Sequence, residues 1–277
     1  MIIAITGGKG GTGKSTISVA LASKLAERGS ILLVDADVDC PNDHLILGIE
    51  LSGLHAVEQR IPVFDMGLCS MCGRCGEACR SNAIVSVKGK QPVFAQSQCN
   101  GCGACRIVCP SGAIGFGIKQ VGDIYFGKKD GIALLSGELK ANEPVSELVV
   151  SALNNEIEPL KQDYEHIVID TAAGTHCPVV TALAKADMVL CVTEPTPLGS
   201  HDLGLILELL KRLKKKARII INKSDIGNMG DIDRLSEKYG FPKIAEIAYS
   251  EKIVDGYANS RPINISQTED IVEALGL

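Results

Sequence analysis

Ile2-Ile3-Ala4-Ile5-Thr6-Gly7-Gly8-Lys9-Gly10-Gly11-Thr12-Gly13-Lys14-Ser15-Thr16 opens the chain and decides its fold. A short apolar run ends in glycines, and beyond them Ile17, Leu21 and Leu25 recur at helical spacing until Gly29 stops the pattern. This reads as a buried strand, a tight turn and a helix. The turn, Gly8 to Ser15, satisfies G-x-x-x-x-G-K-[ST], the phosphate-binding loop. Gly8, Gly10, Gly11, Thr12 and Gly13 let backbone N–H groups converge on phosphate oxygens at a helix N-terminus, where the dipole favours an anion. On this motif Lys14 reaches the β- and γ-phosphates, the Ser15 hydroxyl ligates Mg²⁺ and Thr16 contacts the inner phosphates.

Working outward, further buried strands are predicted at Ile31–Val34, Ile132–Ser136, Ile167–Asp170, Met188–Val192, Ile219–Asn222 and Ile244–Ile247. Helices are predicted near Val145–Lys161, Pro178–Lys185, His201–Lys214 and Ile232–Tyr239. Apolar strands alternating with helices imply an α/β fold, a mostly parallel sheet with helices on both faces. Residues 62–118 break the alternation, so the expected organisation is 1–61 and 119–277 as one nucleotide-binding domain and 62–118 as a small α+β insertion. The 277 residues carry a net charge of −5 and only 5 Tyr, 5 Phe and no Trp. That balance argues against nucleic-acid binding by bulk charge or base stacking. No apolar run is long enough for a membrane span, and Met1–Thr6 lacks the basic flank of a secretory signal. A cytoplasmic protein is the expectation.

Eight of the 11 cysteines fall in the insertion. Cys69-x₂-Cys72-x₂-Cys75-x₃-Cys79 is repeated 30 residues later as Cys99-x₂-Cys102-x₂-Cys105-x₃-Cys109-Pro110, within CSMCGRCGEACRSNAI and CNGCGACRIVCPSGAI. Reduced, clustered thiols point to metal rather than disulfides. The spacing resembles that of two-cluster bacterial ferredoxins and implies two [4Fe-4S] clusters. On that pattern the fourth cysteine of each run serves the other cluster. One set is then Cys69, Cys72, Cys75 and Cys109, and the other Cys99, Cys102, Cys105 and Cys79. Arg80 stands where the pattern has proline. Two Cys₄ zinc sites are the alternative, although three thiols within seven residues are denser than separated C-x₂-C pairs. The insertion's five basic side chains against Asp65 and Glu77 suit an anionic occupant.

Lys9-Gly-Gly-Thr-Gly-Lys14-Ser resembles the deviant phosphate loop of the MinD/ParA ATPases, and the chain as a whole resembles members carrying an inserted two-cluster ferredoxin domain. The resemblance implies a homodimer that closes on MgATP, with Lys9 reaching the partner's nucleotide. Asp35-Ala-Asp37-Val-Asp39 matches the family's first switch: Asp37 would position the attacking water and Asp35 lie close to Mg²⁺. Asp170, ending Ile167-Val-Ile-Asp170, would hold Mg²⁺ through water, and the residues after it form the second switch. Asn222 would recognise adenine. Asn222-Lys223-Ser224-Asp225 also spells N-K-x-D, the guanine-reading pattern, so the residues alone leave GTP open. Three functions follow: electron transfer to a client metalloprotein, cluster or metallocentre assembly, or a nucleotide- and redox-dependent interaction switch. The run Lys211–Arg218 reads as a basic helix end. Cys40, Cys177 and Cys191 read as small buried hydrophobes.

Overall fold

The computed structural model describes residues 1–260 and 263–277. In chain order its strands are β1 (Ile2–Thr6), β2 (Ile31–Ala36), β3 (Ser52–Phe64), β4 (Ile84–Val85), β5 (Val93–Phe94), β6 (Ile114–Lys129), β7 (Ile132–Leu139), β8 (His166–Thr171), β9 (Met188–Thr193), β10 (Ala217–Asn222) and β11 (Lys243–Ile247). Its helices are α1 (Lys14–Ala26), α2 (Asp43–Leu47), α3 (Arg74–Glu77), α4 (Ala104–Ile107), α5 (Glu147–Leu160), α6 (Cys177–Leu183), α7 (Pro197–Arg212), α8 (Gly230–Tyr239), α9 (Glu251–Ala258) and α10 (Thr268–Leu275).

Two compact units emerge, residues 1–54, 124–138 and 150–277, and residues 55–123 with 139–149. The second is wider than the 62–118 expected from composition. In the first, β11, β10, β9, β1, β8, β2 and β7 lie side by side, all parallel. β1, β2 and β8 are buried along nearly their whole length, as expected for strands covered on both faces. Ile3, Ile5, Leu21, Leu33, Leu134, Val168 and Leu190 form the centre of one continuous core. Register places Asp35 beside Asp170 and both at the C-terminal edge of the sheet, where open α/β sheets carry their ligands.

All seven predicted parallel strands are present. The sequence reading misses β3 and β6, which follow β7 in the sheet order. Gly115, Gly117, Gly122 and Gly127 interrupt the β6 pattern and hide it. A usable signal was nonetheless there. Asp130 and Gly131 both take left-handed backbone angles (φ +49° and +81°) between β6 and β7, the Asp-Gly hairpin turn. α7 begins at Pro197, four residues before the expected start, because the Thr196 hydroxyl accepts the Gly199 N–H at 3.0 Å and proline suits the first helical position. It ends as expected on Lys211 and Arg212, but Ala217 and Arg218 belong to β10.

The second unit has a different construction. α3 and α4 sit 30 residues apart, as do the left-handed residues Met71 and Gly101, and Gly73 and Gly103. The duplication extends upstream of the cysteines, where Pro62-Val63-Phe64 is repeated as Pro92-Val93-Phe94. The two copies interlock. Ala95 N–H donates to the Ala83 carbonyl and Asp65 N–H to the Ala113 carbonyl, each at 2.8 Å. Phe64 meets Phe94 with ring centres 6.0 Å apart. The core they cover is small, built on Ile84 and Ile114 together with Cys75 and Cys105.

Candidate functional site

The first unit's site begins where β1 ends. Gly13 turns left-handed (φ +92°) to start α1, and a Cβ there would collide with the Asn222 amide. That amide donates to the Thr12 carbonyl at 2.8 Å, so the end of β10 fastens the phosphate loop. Lys14, Ser15, Thr16, Gly10, Gly11 and Gly13 line a cavity of about 420 Å³, together with Asp37, Asn42, Asn222 and Lys223. Its far wall is Ala248, Tyr249, Ser250 and the α9 residues Ile253, Val254 and Tyr257. Gly8 and Lys9 lie outside that lining. Gly8 packs too closely on Asp202 to admit a side chain. Lys9 is ion-paired with Glu194 of its own chain, which also accepts from Lys223 at 3.2 Å.

Beneath the loop stand three buried carboxylates, Asp35, Asp43 and Asp170, with oxygens within 4.8 Å of one another. Asp35 is spoken for by backbone: it accepts from Asp37 N–H at 3.2 Å, Asn42 N–H at 2.9 Å and Asp43 N–H at 3.1 Å, and so shapes the loop between β2 and α2. Asp170 accepts from the Ser18 hydroxyl at 2.9 Å through one oxygen, while its other oxygen and both oxygens of Asp43 are buried without a hydrogen-bond partner. Burial, then the charge of Asp170, drives the Asp35 carboxyl well above the carboxylate range. Burial, then the Asp35 charge, does the same to Asp43. Burial raises Asp170 to about 6 against the opposing pull of Ser15, Lys14 and Ser18. Buried acceptors left this way call for a cation or a proton, and the donor set of hard oxygens suits Mg²⁺. Asp37, half-buried at the cavity wall, is raised by burial against the Lys14 ammonium.

Asp225 bears on which base the cavity suits. One of its oxygens accepts the Tyr249 N–H at 2.7 Å, and it is absent from the cavity lining.

In the second unit the eight cysteines divide into two pockets. Cys69, Cys72, Cys75 and Cys109 line one, and Cys79, Cys99, Cys102 and Cys105 line the other. Three thiols of each come from one run and the fourth from the other run. Ser81 and Ser111 stand at equivalent positions and meet Cys79 and Cys109 Sγ at 3.6 and 3.7 Å. Burial disfavours both thiolates, but the serine hydroxyls and neighbouring backbone N–H groups outweigh it and lower both thiols below their ordinary value. Gly101 N–H points at Cys99 Sγ at 3.5 Å. Donors aimed at sulfur stabilise an electron-rich thiolate.

Residues 3–263 match the CobQ/CobB/MinD/ParA nucleotide binding domain. The uncharacterized protein MJ0579 of Methanocaldococcus jannaschii is 35% identical over 258 residues, covering 93% of this chain and 89% of its own. The chain belongs to the MinD/ParA nucleotide-binding family. It is also 26% identical to an iron-sulfur cluster carrier protein of Rickettsia bellii, over 95% of this chain and 65% of that one. Among solved structures, the cell division ATPase MinD of Pyrococcus furiosus superposes with a TM-score of 0.59 at 20% identity, covering 99% of this chain and 98% of that one, a likeness of fold.

For a MinD/ParA-family chain the reading of the sequence missed one acid. Asp43 opens a helix of only five residues, too short to register as periodicity. Its signal was local: an acid in the first turn of a helix, a few residues beyond Asp35-Ala-Asp37. The expectation for the stray cysteines needs correcting. Only Cys191 is buried, and burial drives its thiol far up; Cys40 and Cys177 are exposed, on a loop and at the first turn of α6. Among the described residues, no helix is long and apolar enough to cross a membrane.

Proposed function

We propose that this chain is a Mg²⁺-dependent ATPase of the MinD type whose nucleotide-driven dimer cycle governs electron transfer from two [4Fe-4S] clusters to a client metalloprotein. The observation that carries the cluster reading is the sorting of eight thiols into two sets of four, each completed by a cysteine from the other run. A single tetrahedral zinc with bonds of about 2.3 Å would draw its sulfurs to roughly 3.8 Å apart. Among the described residues, the only group with three or more such ligand atoms within 4.8 Å of each other is the aspartate trio, so the thiols stand wider, as a larger cluster requires. Bound clusters supply one-electron redox chemistry at low potential.

In the nucleotide unit, the loop amides and Lys14 would hold the phosphates, and Ser15, Asp35 and Asp170 would surround Mg²⁺. Asp37 at the cavity wall would orient water, the main requirement of phosphoryl transfer. Adenine is favoured over guanine because one Asp225 oxygen is engaged by the Tyr249 N–H and Asp225 is absent from the cavity lining. Lys9, held by Glu194 within one chain, would exchange that partner for the second subunit's nucleotide on dimer closure.

The resemblance to an iron-sulfur cluster carrier protein supports a second reading, in which clusters are handed to a recipient. Ligation of both clusters by one chain favours resident clusters over transferable ones. Anaerobic preparation with iron and sulfide analysis, followed by electron paramagnetic resonance with and without MgATP, separates the two. About eight irons per chain, retained on dilution and with a nucleotide-sensitive signal, are expected. Clusters lost to an apo-acceptor would replace electron transfer by delivery.

A further inference from the structure

The two thiol pockets are related by a 30-residue repeat, yet their surroundings differ in charge. The pocket of Cys69, Cys72, Cys75 and Cys109 has no charged side chain in its lining, whereas that of Cys79, Cys99, Cys102 and Cys105 is lined by Arg60 and Arg106. Both guanidiniums stack on Phe116, with carbons 5.6 and 4.7 Å from the ring centre. In the first copy, Gly76 occupies the position of Arg106 and Ser86 that of Phe116. The duplication therefore keeps the thiols and breaks the symmetry at one arginine–aromatic pair.

Two like charges gathered on one ring repel each other, and a cation–π contact at an exposed site contributes only about 0.5–1 kcal/mol. Among the described residues, neither arginine forms an ion pair with a carboxylate. Their convergence beside four thiols is relieved if the pocket holds an anion, and an added electron makes that anion more negative. Positive charge next to an iron–sulfur cluster therefore favours its reduced form.

We propose that Arg60 and Arg106 make the pocket of Cys79, Cys99, Cys102 and Cys105 the electron-accepting one, so that the first electron entering the protein resides there. This rests on the cluster reading above. Phe116 acts as the positioning residue that holds both guanidiniums at the pocket's rim.

The test is an anaerobic redox titration of the full chain followed by electron paramagnetic resonance, with iron and sulfide counted on the same samples. Wild-type protein is expected to give two unequal midpoints. The R60Q/R106Q double variant should lower only the higher one, by about tenfold in the reduction equilibrium, which is about 59 mV for a one-electron couple. Arg106→Lys should keep most of the wild-type value, and Phe116→Leu should move the higher midpoint in the same direction by less. Because both arginines are exposed, raising the salt concentration should narrow the gap. Midpoints that stay put, move together or rise in R60Q/R106Q overturn the assignment of the arginines. Wild-type protein that cannot hold both clusters overturns the cluster reading itself.

Discussion

On the function proposed above, the two units of this chain solve the same problem, holding a highly charged ligand, by opposite means. The nucleotide unit gathers its site from residues scattered between Gly10 and Tyr257 and hangs them on a sheet with a large, fully buried apolar core. The cysteine unit takes all eight thiols from 41 residues, Cys69 to Cys109, around a core that is itself half cysteine. A large apolar core can carry orphaned charges such as Asp43 and Asp170, because the fold's stability lies elsewhere. A small core cannot, and on the proposed reading the clusters would become part of it.

Stripping the metal breaks this comparison most directly. Chelation of iron should abolish amide-exchange protection across residues 69–114 while β1, β2 and β8 keep theirs, as read by hydrogen-exchange mass spectrometry. Equal retention in both units would mean that the cysteine unit folds without its occupant. In the nucleotide unit the largest losses should be catalytic instead. Lys14→Ala should lower ATP turnover by roughly 100- to 1,000-fold through lost charge stabilisation. Asp37→Ala should slow turnover by a similar factor with ATP affinity retained, measured by steady-state phosphate release and equilibrium binding. Normal turnover in both variants would remove these residues from the site.

The contrast also explains what could be read in advance. The parallel strands were legible because burial on both faces leaves continuous apolar runs such as Ile31–Val34, and the phosphate loop because its glycines have one purpose. The cysteine partition came from the resemblance to two-cluster ferredoxins, in which the fourth cysteine of each run crosses to the other set, and the two pockets group the thiols in the same way. What escaped lies where one residue serves two demands. β6 carries glycines that blunt its alternation, and the repeated Pro-Val-Phe segments were hidden by an unrepetitive sequence between them and the cysteines. Asp225 matches a guanine-reading pattern, yet tertiary placement sets one of its oxygens on the Tyr249 N–H. No spacing rule anticipates that choice.

A smaller effect distinguishes the units by pH. Asp170 has its folded value raised to about 6 by burial, above its unfolded value of about 3.9. Its contribution is therefore fully present below pH 4 and is lost as pH rises through about 6, roughly 3 kcal/mol for this shift of about two units. Protein free of nucleotide and Mg²⁺ should lose thermal stability between about pH 4 and pH 6 in its nucleotide unit, and Asp170→Asn should flatten that slope. MgADP should offset the loss by supplying the cation that the ionised trio lacks. A slope unchanged in the Asn variant would assign the pH dependence to other groups.

The smallest expected effect probes whether the two units communicate. Glu194 is buried between Lys9 and Lys223; burial alone would raise its carboxyl, but the two ammoniums outweigh it and hold it below the usual range. Glu194→Gln keeps the shape and removes the charge. Lys223 retains the Gly11 carbonyl at 3.1 Å, and both lysines are partly exposed, so the cost should be about 1 kcal/mol, a drop of roughly 2–4 °C in the thermal midpoint. Lys9, however, loses its partner within the chain. If it acts across a dimer, the variant should dimerise with ATP several-fold more readily, as sedimentation would detect; if it serves only to brace Glu194, dimerisation should be unchanged or weaker. The cluster spectrum of the variant then sharpens the comparison between the units. A nucleotide unit biased toward closure that leaves the spectrum untouched would mean two ligand sites sharing a chain, whereas a spectrum shifted toward its MgATP-bound form would mean that closure itself reaches the thiol pockets.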